Sequence, residues 1–331
     1  MQKLLYSITV DIDHENGQRE IQERTQMGSG GKKNLRYRDA AGERQYMLSG
    51  DYEVYEKAGE PIGAVAFHYH DFYELIYIME GEFSSLIEDR AVQMRKGDFL
   101  LIDKNVMHKY HPTGKSMASS RRIILWISDQ MLRELAEGEP FLTECFRGEG
   151  PKLYHFPIYY EEILRGFLLK LAMSEILEGT DAENTGIRKV MDKGNLSLFF
   201  GYLNVLCKRE EYLSSTQEIV DHPLVEQVTA YIEAHIGEEI TVEDVAEAVH
   251  MSKFYFLRKF KEITGMTVHN FIVNKRIIAA CQVMTEGKSI TESWQMTGFA
   301  DYSSFLRNFR KIYGISPREY RENNRNLIIS Q

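Results

Sequence analysis

The amino-acid sequence predicts a multi-domain α+β protein, in which a strand-rich N-terminal region precedes a long helical region. Three observations lead to this prediction: short apolar runs between residues 46 and 127, longer helical periods from residue 128 onward, and a segment that is repeated near the C-terminus. The chain has 331 residues, of which 43% are apolar and 27% are charged, so it has enough material for more than one packed core.

The first 45 residues are predicted to form an N-terminal extension or loop, because residues 17 to 45 are rich in Gly, Gln, Lys, Arg and Glu and show no regular period. The apolar run from Leu4 to Val10 is short and Asp11 follows it at once, which argues against a signal peptide or a membrane span. The three cysteines lie more than sixty residues apart, a spacing that disfavours a disulfide framework. We therefore expect a cytoplasmic protein with no membrane association.

Residues 46 to 127 are predicted to form a small antiparallel barrel or sandwich. Short apolar or alternating runs are separated by Gly81, Gly97 and Gly114, which is the spacing of strands joined by turns. The four clearest runs are Leu75 to Ile78, Phe83 to Ile87, Phe99 to Ile102, and Ile123 to Trp126.

Residues 128 to 207 are predicted to be helical, because apolar residues such as Leu164, Leu168 and Leu171 recur at helical spacing. These stripes are explained either by packing within the chain or by a helix that also pairs with a second copy of the chain. Residues 208 to 221 are charged, contain serines and lack a strong period, so we interpret them as a linker. Residues 222 to 331 read as a further, all-helical domain.

The C-terminal domain contains a repeated unit. The segment Phe256 to Thr267 recurs 49 residues later as Phe305 to Ser316, with apolar residues on one helical face and a glycine near the end. Each copy follows a short helical segment, Val242 to Val249 or Ile290 to Met296, with a tight turn between. Thr241 and Ser289 are the predicted N-caps, each followed three residues later by an acidic residue. The pattern predicts two helix-turn-helix units, at residues 241–265 and 289–314.

The charge distribution favours duplex DNA as the partner of these units. Residues 251 to 331 hold thirteen basic and six acidic residues, whereas residues 1 to 250 hold 27 basic and 43 acidic ones. In a helix-turn-helix, the second helix enters the major groove and its N-terminal side chains contact base edges. The alternative is two helical hairpins that pack for stability alone. The residues predicted to contact DNA are Ser252, Lys253, Tyr255, Arg258, Tyr302, Ser303, Ser304, Arg307, Asn308 and Arg310.

The quoted segments, and above all Gly298 to Phe305 followed by Phe309-Arg310-Lys311 and Ser316-Pro317, resemble the double helix-turn-helix domain of AraC/XylS-type transcription regulators. This resemblance covers residues from about 222 to 321. It implies sequence-specific DNA binding, a homodimer, contact with RNA polymerase and a role as an activator. Trp294 departs from the family pattern, which has a small residue there, so we expect its ring either to open the hairpin or to be accommodated elsewhere.

The strand-rich region holds a group of candidate ligands. On an extended strand, His68 and His70 point to one face, Glu74 joins them if the alternation persists, and His108 follows on a later strand. The histidine and carboxylate side chains suit a divalent metal such as Zn, Fe, Mn, Ni or Cu. Residues 61 to 110 resemble the two motifs of the cupin barrel. A cupin-like domain joined to an AraC-type domain is similar to the regulators of arabinose and rhamnose metabolism.

Three interpretations of these four residues remain open. They bind a metal, they hydrogen-bond a sugar or another small effector without metal, or they are structural histidines. Tyr69, Tyr77 and Trp126 are the predicted aromatic walls of an effector pocket.

We accordingly predict an effector-responsive transcription regulator that is not an enzyme, in which the effector acts through the helices between Ser128 and Leu206. One alternative is a metal-dependent cupin enzyme with a regulatory tail. The other is an effector-independent DNA-binding protein with a vestigial barrel.

Overall fold

The computed structural model describes residues 47, 49–58, 66–110, 120–138, 141–148, 150–174, 182–214 and 220–323. The predicted N-terminal extension, residues 1 to 45, lies outside these residues. The described part consists of a β-rich N-terminal region and a helical C-terminal region, which confirms the predicted α+β architecture.

Two antiparallel sheets form the N-terminal region. One has the strand order β1-β7-β2-β5-β8 and the other has the order β6-β3-β4-β9. The strands are β1 Tyr52–Ala58, β2 Tyr73–Glu80, β3 Glu82–Ile87, β4 Arg90–Arg95, β5 Asp98–Ile102, β6 His108–Tyr110, β7 Arg121–Ile127, β8 Lys152–His155 and β9 Val220–Asp221.

The first sheet is buried on both faces. In β2, Tyr73, Leu75 and Tyr77 belong to a core shared with the helices that follow the strands. The alternate residues Ile76 and Ile78 belong to a second core between the two sheets. Because both faces are apolar, the strand has a nearly continuous apolar sequence rather than a polar and an apolar face.

The middle region contains helices α1 Asp129–Leu135, α2 Ile158–Ser174 and α3 Ala182–Cys207, with a 3-10 turn at Phe141–Phe146. The sequence prediction of an all-helical segment from 128 to 207 missed β8, which pairs with β5. Pro151 and Pro157 bracket this strand and disfavour helix there, while Leu153 and Tyr154 are buried in the cores on opposite faces of the sheet.

The predicted linker is attached to the sheets at both ends. The Ser214 amide donates to the carbonyl of Leu153, and β9 at the other end pairs with Arg90 and Ala91 of β4. Residues 215 to 219 lie outside the described residues. In the part that the structure describes, the connection between the domains therefore begins and ends against the β-region.

The C-terminal domain contains seven helices among the described residues. The two predicted capping boxes are present, at Thr241 with Asp244 and at Ser289 with Glu292. Gly265 and Gly314 end the two long helices in the left-handed conformation, with φ of 78° and 72°. The helices are α4 Pro223–Ala234, α5 Val242–Ala248, α6 Lys253–Thr264, α7 Val268–Thr285, α8 Ile290–Met296, α9 Tyr302–Tyr313 and α10 Pro317–Asn323.

Each helix-turn-helix unit has its own core, and α7 connects the two. Phe256 and Phe260 of α6 pack in the first core, and Phe305 and Phe309 of α9 pack in the second. The N-terminal half of α7 lies in the first core and its C-terminal half in the second, so one helix fixes the relative position of both units. None of the described helices is both long and apolar enough to cross a bilayer.

Candidate functional site

We call the second helix of each helix-turn-helix unit its reading helix. The first reading helix, α6, presents a polar face to solvent. Phe256 and Phe260 are fully buried, which rotates the opposite side of the helix outward. Ser252, Lys253, Tyr255 and Arg258 are all exposed at or near the helix N-terminus. Arg258 lies over the ring of Tyr255, with 5.7 Å between the guanidinium carbon and the ring centroid. Lys253 forms an ion pair with Glu243 of the preceding short helix.

The second reading helix, α9, exposes Tyr302, Ser303, Arg307 and Arg310. The two remaining predicted contacts, Ser304 and Asn308, are only half-exposed. The Asn308 amide donates to the carbonyl of Ser304 over 2.9 Å, so part of its hydrogen-bonding capacity is used within the helix. The arginines are the better placed of these side chains for contact with a base edge or a phosphate.

Phe254 is a surface residue that the sequence analysis missed. Its side chain is 84% exposed, the largest exposure among the large apolar residues of the described chain. It lies in the first turn of α6, among the residues that would face the major groove. The signal was present in the sequence, because Phe256 and Phe260 define the buried face and Phe254 lies away from it.

Trp294 is accommodated at the edge of the second core. Its side chain is half-buried and its ring centroid is 6.5 Å from that of Tyr302. The buried position beside it is taken by Ser293, whose hydroxyl donates to the Ser289 carbonyl over 2.8 Å. The hairpin of α8 and α9 is thus closed around a small residue, with the large ring displaced to the side.

The N-terminal region contains a buried polar cluster, formed by His70, Glu74, His108 and Tyr110. His70 Nε2 and His108 Nε2 lie 3.2 and 3.1 Å from the same oxygen of Glu74. The Tyr110 hydroxyl donates to the other oxygen over 2.7 Å. Glu74 is 1% exposed and His108 is completely buried, so the cluster is shielded from solvent.

The Nδ1 atoms of the histidines are held by the backbone, and since a carbonyl oxygen can only accept, each of these nitrogens carries a proton and donates it. In their neutral state, His70 and His108 therefore direct Nε2 lone pairs toward an oxygen of Glu74. The arrangement is repulsive unless a cation, either a proton or a metal ion, lies among these atoms. The Nδ1 contacts are His68 to the Ala66 carbonyl at 3.1 Å, His70 to the Phe72 carbonyl at 2.8 Å, and His108 to the Val106 carbonyl at 2.9 Å.

The ionisation of the cluster follows from its burial and its neighbours. Burial alone would raise the pKa of the Glu74 carboxyl, but His108 and His70 outweigh burial and hold this pKa well below its usual range. Burial lowers the pKa of His70 and of His68. The cluster therefore combines the ionised carboxylate of Glu74 with the imidazole of His70, which resists protonation.

This geometry fits a divalent transition metal. The ligand atoms of His70, Glu74 and His108 all lie within 4.8 Å of one another. Two imidazole nitrogens and a carboxylate oxygen suit Zn, Fe, Mn, Ni or Cu, and a backbone carbonyl at the far nitrogen is the usual support of a ligating histidine. His68 does not belong to this set, although its ring centroid is 4.2 Å from that of His108.

Of the three aromatic residues predicted to line the effector pocket, only Trp126 lies beside the cluster. Trp126 lies beside the cluster, with its ring centroid 6.2 Å from that of His70. Tyr77 is placed elsewhere, because its position in β2 directs it to the helical side, where its hydroxyl donates to Glu161 over 2.7 Å. Tyr69 packs in the core of the first helix-turn-helix unit, so it too is not a wall of the cluster. The prediction of Tyr69 and Tyr77 as pocket walls is corrected by this placement.

The segments that carry the cluster also contact the helix-turn-helix domain. The amide of Phe67 donates to the Thr264 carbonyl over 3.0 Å, and the ammonium of Lys109 donates to the carbonyl of Ile263. Both carbonyls belong to the last turn of α6, so the β-region supplies donors to the C-terminal end of a reading helix. The side chains of Phe67, Leu86 and Met107 complete the core of the first helix-turn-helix unit.

Two further contacts extend this interface. The Tyr313 hydroxyl at the end of α9 donates to the Asn105 side chain over 2.8 Å. Gly265 lies so close to the β-region that a Cβ built on it would be 3.0 Å from the Cα of Ala66. The described domains are thus in direct contact at the C-terminal ends of both reading helices.

Comparison with known proteins matches both regions to families. Residues 53–161 match the AraC-like ligand binding domain, and residues 245–323 match a helix-turn-helix domain. The chain is similar to the HTH-type transcriptional activator RhaS of Salmonella arizonae, with 25% identity over 263 residues that cover 79% of this chain and 89% of the relative. It is also similar to LumQ of Photobacterium leiognathi, described as a probable transcriptional regulator, with 24% identity over 77% of this chain and 91% of the relative.

Solved structures with some similarity include ToxT from Vibrio cholerae O395, with 16% identity, a TM-score of 0.34, and coverage of 86% of this chain and all of that chain. A DNA-binding transcriptional dual regulator from Escherichia coli K-12 has 27% identity and a TM-score of 0.29, over 30% of this chain and 89% of that chain. RhaS and LumQ are transcription regulators by name, which is consistent with the prediction of a protein that is not an enzyme.

Proposed function

We propose, since this chain belongs to the AraC/XylS-type transcription regulators with an N-terminal effector domain, that it controls transcription at specific operators in response to a small molecule. The observation that carries the proposal is the pairing of a matched ligand-binding domain with two helix-turn-helix units in one chain. A regulator of this kind acts where the chromosome is, so we place it in the cytoplasm.

The DNA-binding surface in this proposal consists of the first two turns of α6 and α9. Lys253, Arg258 and Arg307 are exposed there and suit guanine edges or phosphates. The two units are joined by α7, so the reading helices would enter successive major grooves, about 34 Å apart on one face of the duplex.

Selection of bound sequences from a random duplex library by the full chain tests DNA recognition. We expect a defined consensus with two short blocks about one helical turn apart, and binding that weakens as salt rises. Arg307→Ala should relax the consensus in one block only, whereas Arg133→Ala, on the effector domain, should leave it unchanged. Recovery of unrelated sequences by the wild-type chain would contradict specific recognition.

The effector site in this proposal lies at the buried cluster of His70, Glu74 and His108, with Trp126 beside it. A bound cation is supported by the two Nε2 lone pairs that face one oxygen of Glu74. A divalent metal would supply a Lewis-acidic centre for effector oxygen atoms. Elemental analysis of the purified chain tests this point. We expect about one equivalent of a transition metal in the wild type and its loss in His108→Ala, while His155→Ala, outside the cluster, should retain it.

A homodimer is part of the proposal, and α3 supports it. Ile187, Met191, Leu198 and Val205 lie on one stripe of this helix, and each is more than half exposed. The spacing of four and seven residues is that of a two-helix seam, and an exposed apolar stripe of this length calls for a partner. We propose that the same helix of a second copy covers it.

We further propose that the protein activates transcription and that its effector is a sugar or a sugar derivative. Activation, with RNA polymerase as a partner, is supported by the similarity to RhaS, an activator by name. A sugar or sugar derivative as effector is supported by the combination of polar and aromatic side chains at the cluster. A reporter fused to a selected operator measures activation directly, and we expect transcription to rise when the effector is supplied.

The contacts between the domains support a second route for coupling, beside the helices that follow Ser128. Residues 66–70 and 105–110 carry the histidines and also hold the ends of α6 and α9. We propose that occupation of the cluster shifts these two segments and so changes how firmly the helix-turn-helix domain is docked.

A further inference from the structure

Arg122 is a buried arginine in the core between the two sheets. It lies in β7, where it pairs with Ile78 of β2, and it shares a face of the sheet with Ile124 and Trp126. Its side chain is only 3% exposed. Two aromatic rings flank the guanidinium, whose carbon lies 4.6 Å from the centroid of Phe83 and 6.0 Å from that of Tyr110.

The guanidinium lacks an anionic partner among the residues that the structure describes. One of its terminal nitrogens, Nη1, donates to the Ser120 hydroxyl over 3.2 Å, and its Nε has no hydrogen-bond partner. The adjacent Arg121 shows the contrast. It points outward and forms ion pairs with Glu56 at 2.8 Å and Glu80 at 2.9 Å.

A buried cation without a counter-ion is unfavourable, because it loses its hydration and gains no charge partner. The faces of Phe83 and Tyr110 offset part of this loss, but they leave the Nε hydrogen without an acceptor. A buried guanidinium of this kind in a ligand-binding domain is explained if a ligand brings the missing negative charge.

We infer that Arg122, whose guanidinium is flanked by the rings of Phe83 and Tyr110, is the anchor for a carboxylate group of the effector. The inference rests on the proposed function, since it takes the domain to be an effector domain, and it specifies the effector as a small organic acid. Tyr110 connects the two parts of the site, because its ring faces Arg122 and its hydroxyl donates to Glu74. A sugar acid would fit both the anionic anchor and the polar cluster.

The local charge favours a carboxylate over a phosphate. Arg122 supplies one positive charge, which a carboxylate neutralises. A phosphate dianion would leave one excess negative charge, and only Tyr110 would separate that charge from the ionised Glu74. The planar guanidinium also matches a carboxylate in a two-point contact, with Nε as one of its donors.

Thermal unfolding of the full chain with acetate as the probe tests this inference, and acetamide serves as the neutral compound of the same shape. At constant ionic strength, we expect acetate to raise the unfolding midpoint of the wild type and acetamide to leave it unchanged. Arg122→Met should weaken the apparent acetate affinity by about tenfold or more, and Arg122→Lys, which keeps the charge without the planar fork, should lie between. Arg121→Met is the matched control and should respond like the wild type.

Equal shifts with acetate and acetamide, or an acetate response that survives in Arg122→Met, would overturn the inference. A parallel titration with galacturonate, galactose and galactose 6-phosphate extends the test to larger ligands, and we expect the acid to stabilise the chain most. If the phosphate is the best ligand, the anchor is not for a carboxylate. No DNA is present in these measurements, so a failure of operator recognition would be seen separately, in the library selection.

Discussion

At the scale of single residues, the placement of a side chain relative to the sheet decides its chemistry. Glu74 and Tyr77 are three positions apart in β2, yet one faces the polar cluster and the other bonds Glu161 on the helical side. Arg121 and Arg122 are neighbours, yet one is paired at the surface and the other is buried without a carboxylate among the described residues. A shift of one residue in a strand exchanges these environments.

Phe254 is expected to contribute to base recognition through its exposed ring. Replacing it with Ala should reduce affinity for a selected operator by about tenfold, because the ring would otherwise be buried against a thymine methyl or a similar apolar edge. The free energy of unfolding of this variant should differ from that of the wild type by less than about 0.5 kcal/mol, since the ring is exposed in the free protein. Ser303→Ala, 49 residues later at the equivalent position of α9, is the matched control and should have a smaller effect. Equal losses in the two variants would argue against a special role for Phe254.

Asp129 should make stability depend on pH. Burial opposes its ionisation, but Lys104, Arg133 and the Tyr73 hydroxyl lower the pKa of this carboxyl below its ordinary value of 3.8. A lowered pKa stabilises the fold above 3.8, and this contribution is lost as the pH falls through the folded pKa. Asp129→Asn should therefore destabilise the protein at pH 7, and the difference from wild type should shrink toward pH 3. Chemical denaturation across this range, with Glu137→Gln as an exposed control, measures it; a constant difference would contradict the assignment.

At the scale of secondary-structure elements, the helix-turn-helix units were predicted well and the middle region less well. Thr241, Ser289, Gly265 and Gly314 are local signals that set helix ends without reference to the rest of the chain, and the structure has them in these roles. The strand Lys152–His155 was missed, because a four-residue edge strand has too few positions to show a period and is stabilised by pairing with a distant strand.

The helix α3 provides a test of association. Leu198→Glu places a charge in the centre of its exposed apolar stripe, so we expect the proposed dimer to dissociate into monomers at micromolar concentration. Lys189→Glu, an exposed substitution on the same helix outside the stripe, should leave the dimer intact. Sedimentation velocity measures the change, and a Leu198→Glu protein that sediments like the wild type would exclude this stripe as the interface.

At the scale of the whole molecule, the effector domain and the DNA-binding domain share a core. Phe67 and Met107 from the β-region pack with Phe260 and Phe271 from the helices, so neither domain buries its apolar surface alone. The ends of both reading helices are bonded to the segments that carry the histidine cluster. This arrangement allows a small movement at the cluster to reach the proposed DNA-binding surface without passing through the predicted linker.

A double-mutant cycle tests whether the domains are docked in this way in solution. We expect Tyr313→Phe and Asn105→Gly to show a coupling energy of about 1 kcal/mol in chemical unfolding, because they share one half-buried hydrogen bond. Glycine is chosen at position 105 because Asn105 has a φ of 65°, which alanine would strain. Tyr313→Phe combined with Gln130→Ala, a distant surface change, should be additive. Additivity in both pairs would show that the Tyr313 contact is absent in solution.

The sequence by itself determined the helix-turn-helix units, their caps, the presence of a β-region before them and most of the residues on the exposed faces of the reading helices, although it missed Phe254. These features depend on local periodicity and on residues a few positions apart, so they are readable along the chain. Only the tertiary structure decided which face of β2 meets the histidines, that Tyr69 belongs to the interface with α6 and α7, and that Arg122 is buried without a counter-ion among the described residues. The physical reason is that the first sheet is apolar on both sides, so alternation cannot say which side is which until the other sheet and the helices are packed against it.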